Sequence, residues 1–94
     1  PFWGIWCAVA RQSYDGSLVN PEQKISVMEA IRCYTIHSAY SGFEEKTKGS
    51  IEPGKLADLI VVSDDPLTVP VDKLKDIKVQ MTIIDGRIAY RNLN

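Results

Sequence analysis

Gly49-Ser50-Ile51-Glu52-Pro53-Gly54-Lys55-Leu56-Ala57-Asp58-Leu59-Ile60-Val61-Val62 opens with a turn and closes with a strand. Within it, Glu52-Pro53-Gly54-Lys55 has the composition of a reverse turn. Proline presets φ at the second position, and Gly54 can take the positive φ that a type II turn demands at the third. Leu59 to Val62 is an aliphatic run without polar alternation, the pattern of a strand covered on both faces. The residues before this stretch read as helical, and those after it supply one further strand pair. Such a strand belongs to a larger sheet than this chain provides, so the chain is expected to be part of something longer.

The beginning of the sequence points the same way. Pro1 leads directly into Phe2, Trp3, Ile5 and Trp6, with no charged leader ahead of a cleavage site. No apolar run approaches the roughly 18 residues that a membrane span needs. Residues 2 to about 11 read as a helix whose apolar positions (Phe2, Trp3, Ile5, Trp6, Cys7, Val9) cover every side, as in a buried helix. Arg11 ends that run with a charge suited to a helix C-terminus. A terminal helix of a small domain should show a polar face; this one implies absent neighbours and a cut from a longer parent.

With 94 residues, folding buries only about 60–65% of the chain's surface, so the core must be thin. The composition is that of a soluble globular piece: 45% hydrophobic, 24% charged, formal net charge −1. No basic excess exists to neutralise phosphates, which argues against nucleic acid. Cys7 and Cys33 lack CxxC spacing and are expected to be reduced, buried small hydrophobes, which favours the cytoplasm.

Asp15-Gly16 marks a turn in the polar stretch from Gln12 to Asn20, and Asn20-Pro21-Glu22 another, with proline placed to open one helical turn. Ser26-Val27-Met28-Glu29 is a capping box, with Ile25 as its hydrophobic staple. The helix it starts is expected to run to about Tyr40, with Val27, Ile31, Tyr34 and Ser38 on one stripe, and to stop at Ser41-Gly42. Phe43 to Glu45 is expected to add a short helical turn. Ser63-Asp64-Asp65-Pro66 opens a loop, and Asp72 to Asp76 a brief helical turn. Asp85-Gly86 is the type I′ hairpin signal. It predicts the pairs Ile84–Arg87, Ile83–Ile88, Thr82–Ala89, Met81–Tyr90 and Gln80–Arg91. The fold class is therefore α+β: helices first, then a small sheet with a C-terminal hairpin.

Candidate chemistry is sparse. His37 is the only histidine, and no second ligand is spaced to join it in the set of three or four that a metal site needs. Glu44 and Glu45 are carboxylates by type, but adjacent helical residues point apart. Asp64 and Asp65 follow a strand, where carboxylates can bind metal or take protons; before a proline they more simply build a turn. Asp58 is expected to accept backbone N–H bonds in the turn preceding it. Gly49 and Gly54 are too sparse for a phosphate loop, and no nucleophile–histidine–acid set assembles.

The residues do resemble a family. The stretch from Gly49 to Val62 is similar to the C-terminal signature of the metal-dependent amidohydrolase superfamily. Ser26-Val27-Met28-Glu29-Ala30-Ile31-Arg32-Cys33-Tyr34-Thr35-Ile36 resembles the capped helix before that signature. Thr82-Ile83-Ile84-Asp85-Gly86-Arg87-Ile88 resembles its closing hairpin. Pro1 through Arg11 is similar to the helix after the last barrel strand in amidohydrolase family 3, the branch that includes the N-substituted formamide deformylases.

This resemblance implies a two-part parent: a (β/α)₈ barrel carrying one or two divalent metals, usually zinc, and a small β-sandwich-like domain built from both ends of the chain. Residues 1–48 would belong to the end of the barrel and residues 49–94 to the composite β domain. The implied activity is hydrolysis of amide or related C–N bonds by a metal-activated hydroxide. The family's ligands are a His-x-His pair, later histidines, a bridging carboxylate and an aspartate ending the eighth strand. None carries over: His37 matches no ligand position, and Asp64-Asp65 follows the wrong strand. No catalytic, cofactor-binding or metal residue is therefore named, and the fragment is expected to be inactive. Its expected partner is the rest of the parent, or a second copy through exposed apolar surface. Two rival readings are a stand-alone binding or assembly module and a small enzyme using Glu44, Glu45 or Asp64.

Overall fold

The computed structural model describes residues 1–12, 17, 18 and 20–93; the expected Asp15-Gly16 turn lies outside them. Helix α1 spans Phe2–Ala10, α2 Val27–Tyr34 and α3 Ile36–Ser41. Strands follow as β1 (Leu59–Val62), β2 (Val79–Ile84) and β3 (Arg87–Arg91), with 3-10 turns at Pro21–Gln23 and Val71–Asp76. The arrangement is α+β, with helices first and one three-stranded antiparallel sheet ordered β1-β2-β3. Among the described residues no helix is long and apolar enough to cross a membrane.

The core forms where α1 lies on the Val71–Asp76 helix. Phe2, Ile5 and Trp6, spaced i, i+3, i+4, turn one face of α1 inward onto Leu74, Ile77 and Ala30. The expectation of a wholly buried first helix is corrected: Trp3 is 51% exposed, and Cys7 is exposed as well. Cys33 is also exposed, so neither cysteine is the buried hydrophobe expected. The two indoles meet edge to face at 5.5 Å, and the Lys75 ammonium lies 4.6 Å from the Trp6 ring centre, a cation–π contact. The Trp6 indole nitrogen is buried without a hydrogen-bond partner.

The capping box forms as its sequence requires. Ser26 Oγ accepts from Glu29 N at 3.1 Å, and the Glu29 carboxylate accepts from Ser26 N at 3.4 Å. The inward residue of α2 is Ala30, flanked by partly buried Val27 and Ile31, while Tyr34 is exposed. The single helix expected to reach Tyr40 is broken at Thr35 (φ −119, ψ −97). The Thr35 hydroxyl donates to the carbonyl of Ile31, and its N–H turns to Arg32 O instead. A threonine bonding its i−4 carbonyl competes with the helical ladder and bends it.

Helix α3 ends in a Schellman pattern: Glu44 N donates to Ala39 O and Phe43 N to Tyr40 O, as the motif prescribes. The left-handed residue is not the glycine of Ser41-Gly42. Gly42 has φ −92, and Phe43 takes φ 61 with its side chain 93% exposed. After it, Thr47 N and Lys48 N both donate to Glu44 O, closing one turn.

Gly49 (φ 100) then passes against α3, where a Cβ would sit 2.8 Å from the Ala39 Cβ; only glycine fits. Lys55 N donates to Glu52 O and Gly54 has φ 90, the type II turn read from the sequence. Strand β1 is not covered on both faces as expected. It is an edge strand, with Ile60 45% and Val61 41% exposed.

The hairpin tip is type I′, with φ 50 at Asp85 and 77 at Gly86. Ile84–Arg87 and Ile83–Ile88 pair as expected, but a bulge then shifts the register to Thr82–Tyr90 and Met81–Arg91. Ala89 is the extra residue, so the expected Thr82–Ala89, Met81–Tyr90 and Gln80–Arg91 pairs do not form. A bulge adds twist and re-aims the residues beyond it, which side-chain alternation alone does not reveal. The radius of gyration, 14.6 Å, exceeds the ~12 Å of a compact domain this long: the sheet extends away from the helical core.

Phe43 stores left-handed strain with its ring in solvent. Phe43→Gly should raise unfolding free energy by about 0.5–1 kcal/mol, the strain relieved less the entropy glycine adds to the unfolded chain. The measurement is the urea midpoint at unchanged m-value; an unchanged or lower midpoint contradicts the strain account.

Candidate functional site

The polar residues of the Gly49–Val62 stretch converge on the turn itself. Ser50 Oγ donates to the Glu52 carboxylate and accepts from Lys55 Nζ at 2.7 Å, while Lys55 Nζ also pairs with Glu52 at 3.0 Å. The Lys55 side chain is 12% exposed, its stem laid along the chain with its head held by two oxygens. The Ser50 hydroxyl, and after it the Lys55 ammonium, hold the Glu52 carboxyl below its ordinary value. The three groups form a closed set that fixes the turn and leaves no oxygen poised as a nucleophile.

Asp58 acts at longer range than its sequence suggests. Its Oδ1 accepts from the N–H of Asp85 at 2.8 Å, and the neighbouring Ala57 O accepts from Gly86 N at 3.1 Å. The expected bonds to the preceding turn are thus replaced by bonds to the hairpin tip. Both N–H groups of the two-residue turn point out of the ladder and need acceptors. Ala57-Asp58 supplies them just before β1 joins β2.

The remaining candidates are dispersed. His37 sits on the exposed side of α3, where its carbonyl accepts from Ser41 Oγ. Glu44 pairs with Lys48 one helical turn away, and as hydrogen-bond acceptor first and charge second it raises the Lys48 ammonium above its ordinary value. One carboxylate oxygen of Glu45 is buried without a partner. Ser63 Oγ donates to Asp64, and Asp65 Oδ1 accepts from Leu67 N at 2.9 Å, an Asx turn that realises the loop reading. Among the described residues, no three His, Cys, Asp or Glu side chains are grouped to hold a metal ion. His37 has no such group around it, and the described residues do not fit a divalent cation.

An open cleft of about 790 Å³ runs between the helices and the sheet. Its walls are Ile31 and Tyr34 of α2, Ala39 of α3, Leu59 and Ile60 of β1, and Ile83 of β2, with Glu44, Lys48 and Asp58 at its polar margin. The size is that of a ligand pocket. At its margin Glu44 is paired with Lys48, and Asp58 accepts from the N–H of Asp85. No periodicity in the sequence signals this cleft: its walls come from α1, through Phe2 and Ile5, as well as α2, α3, β1 and β2, brought together only by folding.

A sequence profile of the amidohydrolase family matches residues 1–90. An N-substituted formamide deformylase from Arthrobacter pascens is 36% identical over 86 residues, 92% of this chain and 16% of the relative. The putative amidohydrolase YtcJ of Bacillus subtilis (strain 168) is 37% identical over 93 residues, 96% of this chain and 18% of the relative. An adenine deaminase of Clostridium botulinum is 34% identical over 76% of this chain and 10% of its own length. Among solved structures, an amidohydrolase from Thermotoga maritima MSB8 superposes with a TM-score of 0.62 at 30% identity, over 76% of this chain and 17% of that one. The chain thus spans less than a fifth of the length of each of these proteins.

Two measurements check the roles of these polar groups. Asp58→Ala should cost about 1–2 kcal/mol, the value of a charge-assisted bond at an exposed site, and should speed hydrogen exchange at Asp85. Unchanged exchange there refutes the pin. Ser50→Ala should move the Glu52 carboxyl titration, followed by NMR, up toward its ordinary value. Because the folded-state pKa lies below the unfolded one, the Glu52 contribution is present above the unfolded pKa and is lost as pH falls through the folded pKa. A Glu52 titration unmoved in Ser50→Ala contradicts the assignment.

Proposed function

The chain belongs to the amidohydrolase family, and on that premise we propose that it is the C-terminal, non-catalytic portion of a metal-dependent hydrolase cleaving amide or other non-peptide C–N bonds. One observation carries this reading: each conspicuous polar side chain of the Gly49–Val62 stretch is engaged in shaping backbone. Ser50, Glu52 and Lys55 hold a turn, and Asp58 holds the hairpin tip. Residues so engaged support a fold and do not serve a reacting atom.

In this reading residues 1–48 finish a (β/α)₈ barrel, and residues 49–94 form part of a small composite β domain. The metal, zinc by preference, activates water in the barrel, with ligands drawn from outside this chain. The enzyme works in the cytoplasm, where exposed thiols such as Cys7 and Cys33 stay reduced. The deformylase relative suggests N-substituted formamides as the first substrates to try; adenine-like amidines are the second class.

The purified 94-residue chain should show no hydrolysis of N-substituted formamides above buffer with added Zn²⁺, and dialysis should leave far less than one zinc per chain by atomic absorption. Stoichiometric zinc that is lost in His37→Ala, or metal-dependent turnover, overturns the proposal.

A further inference from the structure

We propose that Asp85-Gly86 is a latent site of aspartate isomerisation, held shut by the two bonds that Ala57 and Asp58 make to the hairpin tip. The inference does not depend on the hydrolase reading, and all the residues involved lie within this chain. The pair carries what the reaction needs. The Asp85 carboxyl precedes a nitrogen that Gly86, having no Cβ, leaves unshielded. The Gly86 nitrogen attacks Cγ of the protonated Asp85 carboxyl, and a C–N bond forms. One carboxyl oxygen leaves as water with the amide and carboxyl protons, closing a cyclic succinimide. Water then adds to the Asp85 backbone carbonyl and breaks its bond to the Gly86 nitrogen. The chain now runs through Cβ and Cγ of residue 85, and the former backbone carbonyl becomes the free carboxylate. Water is the only other reactant.

The closed tip opposes this reaction in two ways. The first is rotation. Ring closure needs the Asp85 Cβ and the Gly86 nitrogen nearly eclipsed about the Cα–C bond. A type I′ turn sets ψ of its first central residue at about +30°, which in an L-residue holds the two atoms nearly anti. The φ values of 50 at Asp85 and 77 at Gly86 fit that turn. The second is hydrogen bonding. Gly86 N donates to Ala57 O at 3.1 Å, and attack through this nitrogen must give up that bond. Asp85 N donates to Asp58 Oδ1 at 2.8 Å, so turning Asp85 breaks a charge-assisted bond as well. Both acceptors lie just before β1, which is paired with β2, so the tip reaches the reactive rotamer only by parting from that segment. A two-residue type I′ loop has no room for the added backbone atom, and the product loses the Ile84–Arg87 pair beside it.

Isoaspartate at residue 85, followed by site-resolved mass spectrometry while the intact chain is incubated at slightly acidic pH, tests the proposal. The native chain should isomerise there at least about tenfold more slowly than the same chain in urea, because reaction runs through the opened tip. Asp58→Ala should isomerise about 5–30-fold faster than the unmodified chain, the gain in opened tip that loss of its bond allows. Asp58→Asn, which keeps an acceptor oxygen, should recover most of the protection. Equal rates in native buffer and urea, or no isoaspartate at residue 85 in urea, overturn the proposal. So does an Asp58→Ala rate equal to that of the unmodified chain, or an Asp58→Asn rate as high as that of Asp58→Ala. Should Asp58→Ala fail to fold by circular dichroism, Asp58→Glu, whose longer side chain displaces the accepting oxygen, takes its place with the same expected acceleration.

Discussion

Leu74, with 0% of its surface exposed, is the point on which the described structure turns. It is drawn in from a short 3-10 helix and buried in the cluster that also holds Phe2, Ile5 and Trp6 of α1 and Ala30 of α2. That cluster joins the first ten residues of the chain to a segment some seventy residues later. Full burial of a leucine contributes about 1.5–3 kcal/mol, and in a chain this short few other side chains contribute as much. Lys75 adds its charge to the Trp6 face, so the residues around Leu74 hold α1 by both apolar and electrostatic means.

The sheet is held by different means. None of its residues is fully buried, and its cohesion comes from ladder hydrogen bonds together with the bonds from Gly86 and Asp85 back to Ala57 and Asp58. A bond to a carboxylate at the hairpin tip does here what apolar packing does at α1. The difference explains the shape: a small greasy centre among the helices, and a sheet that extends from it with β1 at an open edge. A strand of four consecutive aliphatic residues at an edge conflicts locally with its surroundings, since nothing in its composition prefers water on either face.

The chemistry follows the same division. The family to which the chain belongs hydrolyses its substrates with the help of a divalent metal, whereas the carboxylates described here are engaged in structure. Glu44 steadies Lys48, Glu52 closes its turn, Asp58 pins the hairpin and Asp65 starts a loop. Among the described residues, Glu45 is the carboxylate that keeps a buried oxygen without a partner, at an energetic cost of about 1–3 kcal/mol.

Local sequence alone determined the elements whose causes lie within a few residues. Ser26 and Glu29 make a capping box, Pro53-Gly54 a type II turn, Asp85-Gly86 a type I′ tip, and the aliphatic run at Leu59 a strand, because each needs only short-range sterics or a single bond. The same is true of the scarcity of candidate ligands: one histidine without spaced companions is visible in the letters. Tertiary structure alone decided that Thr35 breaks a helix, that Phe43 and not Gly42 takes the left-handed turn, that the hairpin bulges at Ala89, that Ala30 is the inward face of α2, and that Asp58 reaches the hairpin tip. Each of these rests on a choice between near-equal local states, a hydroxyl against an N–H or one register against the next. Such choices are settled by contacts with residues distant in the chain, which no local pattern encodes.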